Sequence, residues 1–557
     1  MTRKIHILLA AMMICAQLAG AKTSSNKTEV SQNLNIFNAI YKELQMNYVD
    51  SINAQKTIRD AIDAMLGQID PYTEYYSADE QEEFTSMTSG EFSGIGSVIM
   101  QRNGHVELSQ PNYDSPARKA GVRHGDVIIS IDDFTLPDGF TSSEATKLLR
   151  GQAGTKVRLK VKRPYVTDSI VDIEITRGTI RTNPVPYYGM LNDQVGYIKL
   201  TTFNERSAND LKSAFLDLKK NPAMKSLVID LRDNGGGLLE SAVQIAGYFL
   251  PKGTEILRTK YRGKDNEKIY KTTQTPLDTN IPLAFLVNGG TASASEILSG
   301  SMQDLDRAVI VGNRSFGKGL VQSVRPIPYD GMLKVTVARY YIPSGRLIQA
   351  IDYSHRNPDG SVARIPDSLT NVFHTRAGRE VRDGGGITPD VKVELPELNR
   401  LTYNVYADMW AYDYANRYAA RQGDTTPDAE TFEITDSIFA DFKGFIDPDK
   451  FKYDRLCESG LTMLREAAQQ EGYMTDSVAA QFDRLESMLK HDLNHDLDFN
   501  SKEIRQLLDQ EISNRYFDEA TMIRRSLRDD IEAEEAAAVL SDPKRYQEIL
   551  TVTTQKK

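Results

Sequence analysis

The distribution of apolar residues along the 557-residue chain predicts a multidomain α/β protein, with a mainly-β segment inserted ahead of the α/β core and helical regions at both ends. Three observations carry this. From Val195 onward, apolar runs of strand length alternate with helical stretches, the pattern of a sheet with helical crossovers. Between 86 and 178, short strands are broken at close intervals by glycine- and proline-containing turns. Residues 33–85 and 396–557 instead place apolar side chains at helical spacing.

The chain opens with Arg3 and Lys4, an apolar stretch from Ile5 to Leu18, and Ala19-Gly20-Ala21, the layout of a cleaved secretion signal over residues 1–21. The mature chain is expected to begin near Lys22, in the periplasm or cell envelope. Cys15 does not mark a lipoprotein site, because Met12-Met13-Ile14 before it lacks the small residues such a site needs. Once Cys15 is removed only Cys457 remains, so no intrachain disulfide can form. The net charge of −10 argues against nucleic acid or an anionic membrane as partner. No later apolar run reaches the ~20 residues that a membrane span requires.

Residues 22–85 are expected to form a helical arm, with Leu34, Ile36, Phe37, Ile40 and Leu44, then Ile58, Ala61, Ile62 and Leu66, at helical intervals up to Ile69-Asp70-Pro71-Tyr72-Thr73. The insert, 86–178, contains Glu91-Phe92-Ser93-Gly94-Ile95-Gly96-Ser97, Ser115-Pro116-Ala117, Ala120-Gly121-Val122, Gly125-Asp126-Val127-Ile128, a helix near Ser142–Arg150 and a strand Val157–Arg163. This series resembles a PDZ domain. The resemblance implies that the Gly94-Ile95-Gly96 loop offers backbone N–H groups to the terminal carboxylate of a peptide that adds a strand to the sheet edge. A plain turn is the simpler reading of the two glycines.

In the core, expected over 179–395, Val195–Leu200 and Ser226–Leu231 read as strands and Ala208–Lys219 and Leu238–Leu250 as helices, with the glycine turn Arg232-Asp233-Asn234-Gly235-Gly236-Gly237 between them. A buried strand, Pro282–Val287, runs through Asn288-Gly289-Gly290 into a helix opening at Thr291–Ser295. A serine on such a turn has an exposed hydroxyl beside unpaired N–H groups that can stabilise an oxyanion. Ser293 and Glu296 equally fit a capping box, in which the serine only caps the helix. Downstream, Lys318 lies in Ser315-Phe316-Gly317-Lys318-Gly319; a strand beginning at Lys318 would put Gln322 on the same face. A lysine serves as base toward a serine only when neutral, which apolar neighbours such as Phe316, Leu320 and Val321 favour. The spacing of a nucleotide-binding phosphate loop is not met.

Together these residues resemble the active site of the carboxyl-terminal processing, or tail-specific, proteases, serine peptidases with a Ser/Lys dyad. The resemblance covers 34–395. It implies a crotonase-like, ClpP-like protease core, Ser293 as nucleophile, Lys318 as base 25 residues later, Gln322 positioning the lysine, and Asp304 as a supporting carboxylate. The oxyanion hole would be the N–H groups of Ala294 and Gly236, with Gly235 or Gly237 as alternatives. Relatives often carry proline where Gly235 stands. No cofactor or metal is called for. The substrates implied are proteins or peptides with free apolar C-termini.

The C-terminal region, 396–557, is helical by pattern and carries no motif of that family. It could pack on the core, form a homo-oligomer surface or dock an adaptor. His491 and His495 have the i, i+4 spacing of metal ligands, but a solvated helix face is the commoner meaning. The function this resemblance implies is a secreted serine endopeptidase that recognises C-termini through the PDZ-like insert and hydrolyses through an acyl-enzyme. The alternatives are a catalytically silent or activator-dependent PDZ scaffold, and a crotonase-like acyl-transfer enzyme, which secretion disfavours.

Overall fold

The computed structural model describes residues 27–551 apart from 168, 264–265, 358 and 424. The expected secretion signal and Cys15 lie outside the described residues. Two compact units are present, residues up to 78 with 322–336, and 79–321 with 337–557.

In the first unit, a helix spans 27–47, and Leu34, Ile36, Phe37, Ile40 and Leu44, whose spacing predicts it, are all exposed. A second helix, Ala54–Gly67, is capped by the Asn53 side chain, which accepts from Lys56 N–H at 2.9 Å. In the turn that follows, Asp70 accepts the N–H groups of Tyr72 and Thr73, both at 2.8 Å, and so delivers the chain into the strand Glu74–Tyr76. That strand pairs antiparallel with residues 332–334, and Lys334 joins Glu74 at 2.7 Å.

The insert, in the second unit, is an antiparallel sheet in the order Ser97–Arg102, His105–Pro111, Asp126–Ile131, Lys156–Lys162, Ile170–Thr176. Lys156–Lys162 shows why the sequence forms a strand: Val157, Leu159 and Val161 are buried, while the four basic residues between and around them are exposed. Ser97–Arg102 is the sheet edge. The helix Ser142–Leu149, opened by a Thr141/Glu144 capping box, packs beside it.

The α/β core is a six-stranded sheet in the order Tyr188–Met190, Val195–Lys199, Ser226–Asp230, Leu283–Val287, Val309–Gly312, Val391–Lys392, parallel except for the first pair. Its central strands are buried along their whole length, as a sheet covered on both faces requires. On one face lie the helices Ser207–Leu218, Leu239–Phe249 and Ala294–Asp304, packing Phe215, Phe249, Ile297 and Met302 against Ile229, Phe285 and Ile310. The other face is covered by the last two described helices, Ile531–Ser541 and Pro543–Leu550. Ala533, Ala536, Leu540 and Tyr546 meet Tyr197, Val228, Leu286 and Val311 there. The helices Arg400–Ala407, Trp410–Gln422, Asp436–Phe445, Leu493–Phe499 and Ser501–Tyr516 form a separate core around Tyr414, Phe442, Leu497 and Leu508.

The two histidines of this region do not share a helix face. His491 precedes the helix Leu493–Phe499, whose N-cap is Asp492, and its Nδ1 lies 2.7 Å from Asp496 Oδ2. Among the described residues no group of three or more His, Cys, Asp or Glu could hold a metal, and no helix is long and apolar enough to cross a membrane.

Candidate active site

The buried strand Leu283–Val287 ends at Asn288, and the turn that follows carries Ser293 at φ +57°, left-handed backbone that non-glycine residues seldom adopt. The helix Ala294–Asp304 starts immediately after it. Neighbouring side chains hold the turn in this conformation. Thr291 Oγ1 donates to Leu231 O at 2.8 Å, and the Ser295 hydroxyl donates to Asn234 O, also at 2.8 Å. Ser293 itself is half-buried.

Lys318, half-buried, lies in the loop before the strand Leu320–Ile327 rather than on it. The expected register, with Lys318 and Gln322 on one strand face, is therefore corrected. Gly317, at φ +91°, turns the chain, and the N–H groups of Gly317 and Lys318 go to a side chain instead of a sheet partner. Gln322 belongs to the first unit, where its Nε2 donates to Thr336 Oγ1 at 3.1 Å.

That side chain is Glu296. Its Oε2 accepts the N–H groups of Ser293 and Lys318, each at 2.9 Å, and its Oε1 accepts Gly317 N–H at 2.7 Å and the Ser315 hydroxyl. One fully buried carboxylate thus ties the serine turn to the lysine loop. Burial pushes its pKa up, against the pull of the four bonds it accepts. A second tie comes from Tyr340, whose Oη donates to Lys318 O at 2.6 Å and lies 3.2 Å from Ser293 O. Reading the sequence made Glu296 no more than a capping residue and missed Tyr340; only the spacing Ser293-x-x-Glu296 offered a signal.

Gly236, at φ +100°, sits directly against the serine turn. A Cβ there would fall 2.7 Å from Ala292 O, 2.8 Å from Ser293 Cβ and 2.9 Å from Ala294 N. Gly235 has open space around it, and a Cβ on Gly237 would strike Phe203 O at 2.0 Å. Of the three glycines, Gly236 is the one brought to Ala294. Its N–H, however, donates to Asn234 Oδ1 at 2.9 Å, while Asn234 Nδ2 donates to Leu200 O at 2.8 Å.

Asp304 ends the helix that Ser293 begins, eleven residues or about 16 Å further along. Its Oδ2 accepts Ser344 N–H at 2.9 Å, and Arg346 Nη2 stands 2.8 Å from Oδ1 as a buried ion pair. It braces the loop around Arg346 and is not beside the serine.

In the insert, Gly94 ends the strand Glu91–Gly94, Ile95 is buried, and Gly96 takes φ +72° just before the edge strand. A Cβ on Gly96 would come within 2.7 Å of Ile180 Cδ1 and Ser115 Cβ, so glycine is required there. Gly94 has no comparable constraint.

Three family models match the chain: peptidase family S41 over residues 194–355, PDZ domain over 108–163, and probable PDZ-protease, C-terminal helical domain, over 401–540. The carboxy-terminal-processing protease of Bartonella bacilliformis is 37% identical over 389 residues, spanning 69% of this chain and 88% of that protein. The chain belongs to the carboxyl-terminal processing protease family. It is a serine-type peptidase with a PDZ domain and a helical C-terminal region. Among solved structures, a photosystem II D1 C-terminal processing protease aligns at 26% identity and TM-score 0.35, covering 63% of this chain and 85% of that one. The PDZ domain of a carboxy-terminal protease from Vibrio cholerae, solved with a peptide, aligns at 24% identity and TM-score 0.15 over 16% of this chain and 99% of that one. In this processing protease the PDZ edge strand Ser97–Arg102 and the helix Ser142–Leu149 lie side by side.

Proposed function

We propose that this protein is a secreted endopeptidase of the periplasm or cell envelope that engages substrate C-termini at Gly94-Ile95-Gly96 and cuts with Ser293 and Lys318 on a crotonase-like, ClpP-like core. The observation that carries the reading is the double tie of Ser293 to Lys318, through the carboxylate of Glu296 and the hydroxyl of Tyr340. Fixing both backbones is how a nucleophile and its base are kept in register without strand pairing. Lys318, in its neutral form, takes the proton of Ser293 Oγ as the hydroxyl attacks the scissile carbonyl. The Ala294 N–H and the Gly236 N–H hold the oxyanion, and the proton passes to the leaving amine. Water then releases the acyl-enzyme.

The bond from Gly236 N–H to Asn234 supports a second reading, in which the chain rests in a form that needs an activator, such as an adaptor or a second copy, before it cuts. One experiment separates the two. Cleavage of an unstructured protein with an apolar C-terminus is compared for wild type, Ser293→Ala and Lys318→Ala, with tail binding measured in parallel. Cutting by wild type alone, with binding by all three, is the expected result. Binding without any cutting favours the activator-dependent form, and cutting by either variant overturns the dyad.

A further inference from the structure

Two carboxylates at the start of the helix Ile531–Ser541 reach the segment that carries the glycine turn. Arg232 follows the strand Ser226–Asp230 and stands four residues before Gly236. Its guanidinium is gripped from the far end of the chain. Nη2 donates to Asp530 Oδ2 at 2.6 Å, and Nη1 donates to Asp530 Oδ1 at 3.0 Å and to Glu532 Oε2 at 2.8 Å. From its own strand, Asp230 Oδ2 accepts the same Nη2 at 2.6 Å, and Lys199 Nζ donates to the Arg232 carbonyl at 3.0 Å. Side chain and backbone of Arg232 are thus both held.

Glu532 also grips the other half of the site. Its Oε1 accepts Asn313 Nδ2 at 3.2 Å, and a Cβ on the neighbouring Gly312 would come 3.1 Å from the same oxygen. Asn313 stands five residues before Lys318 and two before Ser315, whose hydroxyl donates to Glu296. One side chain, 3% exposed, therefore touches both segments that lead into the site, the glycine turn and the lysine loop.

Beyond Arg232 the turn is bonded directly to the serine side. Asp233 N–H donates to Asn288 Oδ1 and Asn288 Nδ2 donates back to Asp233 Oδ1, both at 2.9 Å, and Ala292 N–H donates to Asn234 O at 3.0 Å. A planar guanidinium shared among three carboxylates fixes direction as well as position, and a misplacement of about 1 Å at a reacting site can cost about a hundredfold in rate. We propose that Asp530 and Glu532 are positioning residues for peptide-bond cleavage, a role that rests on Ser293 and Lys318 being the cutting pair. Acting through Arg232 and Asn313, the start of this C-terminal helix sets the oxyanion turn against the lysine loop. The C-terminal region thereby takes part in the chemistry as well as covering the sheet.

The test is steady-state cleavage of an unstructured protein with an apolar C-terminus by the full mature chain, well below every Tm, for wild type, Glu532→Gln, Asp530→Asn and Ser293→Ala. Asp530 also caps the helix, accepting Ala533 N–H at 2.9 Å, and asparagine caps as well as aspartate, so Asp530→Asn keeps the helix start while loosening Arg232. Glu532→Gln and Asp530→Asn should each lower kcat about tenfold or more with KM within twofold of wild type. Glu535→Gln, which breaks the pair with Arg545 in the same two helices, should leave kcat unchanged. A purely structural role would lower Tm and leave the kcat of the folded enzyme at the wild-type value. That result in both variants, or in the one that folds if only one does, overturns the proposal. Cleavage by Ser293→Ala at the wild-type rate instead overturns the Ser293/Lys318 reading, and the positioning role with it.

Discussion

Replacing Glu296 by glutamine tests whether the carboxylate between Ser293 and Lys318 sets the geometry of the site. The substitution keeps shape and volume and turns one acceptor oxygen into a donor. The least costly placement puts the new NH₂ group toward Ser315, whose hydroxyl can rotate and accept, and leaves Gly317 N–H without an acceptor. The other placement strands the N–H groups of Ser293 and Lys318 together. One unpaired buried N–H costs about 1–3 kcal/mol. If that cost falls on the aligned loop, kcat drops about 5- to 150-fold at 1.36 kcal/mol per decade. The assay is steady-state cleavage of a tailed unstructured substrate, with Tm and tail affinity measured on the same preparation. Tail affinity should not change, because the PDZ groove does not contain Glu296. A kcat within twofold of wild type would refute the argument that this carboxylate holds the catalytic loop.

Gly236→Ala should lower turnover about a hundredfold, since the new methyl meets the backbone of Ala292 and Ala294 below 3 Å at a positive φ, whereas Gly235→Ala, with open space around it, should leave both turnover and Tm unchanged. Tyr340→Phe removes the bond to Lys318 O, worth about 1 kcal/mol; kcat should fall severalfold with the fold intact by circular dichroism. Burial alone would raise Asp230, but Lys199 and Arg232 beside it outweigh this and hold it below the usual carboxylate range. A depressed carboxylate stabilises the fold above its unfolded pKa of about 3.9, and that contribution is lost as pH falls through the lower folded value. The stability difference between wild type and Asp230→Asn, from urea midpoints, should therefore hold constant from neutral pH to about 4 and shrink below it.

Much of the architecture was legible because its causes are local. The alternation in Lys156–Lys162, the apolar runs Ser226–Asp230 and Leu283–Val287, and the capping residues Thr141 and Glu144 act within one element, so spacing alone announces them. The serine turn was legible for the same reason. Lys318 was found by its motif, yet placed on a strand, because no local pattern reveals that Glu296, 22 residues earlier, captures its N–H. Asp304 entered the site through the resemblance, which puts an acidic residue near the dyad, but a straight helix carries it about 16 Å from Ser293.

The sequence by itself determined the main elements of the insert and core, their order and the serine turn, all products of backbone preference and side-chain period. Only the tertiary structure decided that Gly236 rather than its neighbours meets Ala294, that Asn234 takes its N–H, and that Glu296 and Tyr340 join the serine to the lysine. It also decided that the helices at 531–550 cover the back of the core sheet, more than 200 residues after the strands they bury. The physical reason is common to all of these. Each depends on which surfaces meet when separate elements pack, and an alanine-rich helix such as Ile531–Ser541 has a small-residue face that would suit many partners until the sheet supplies one.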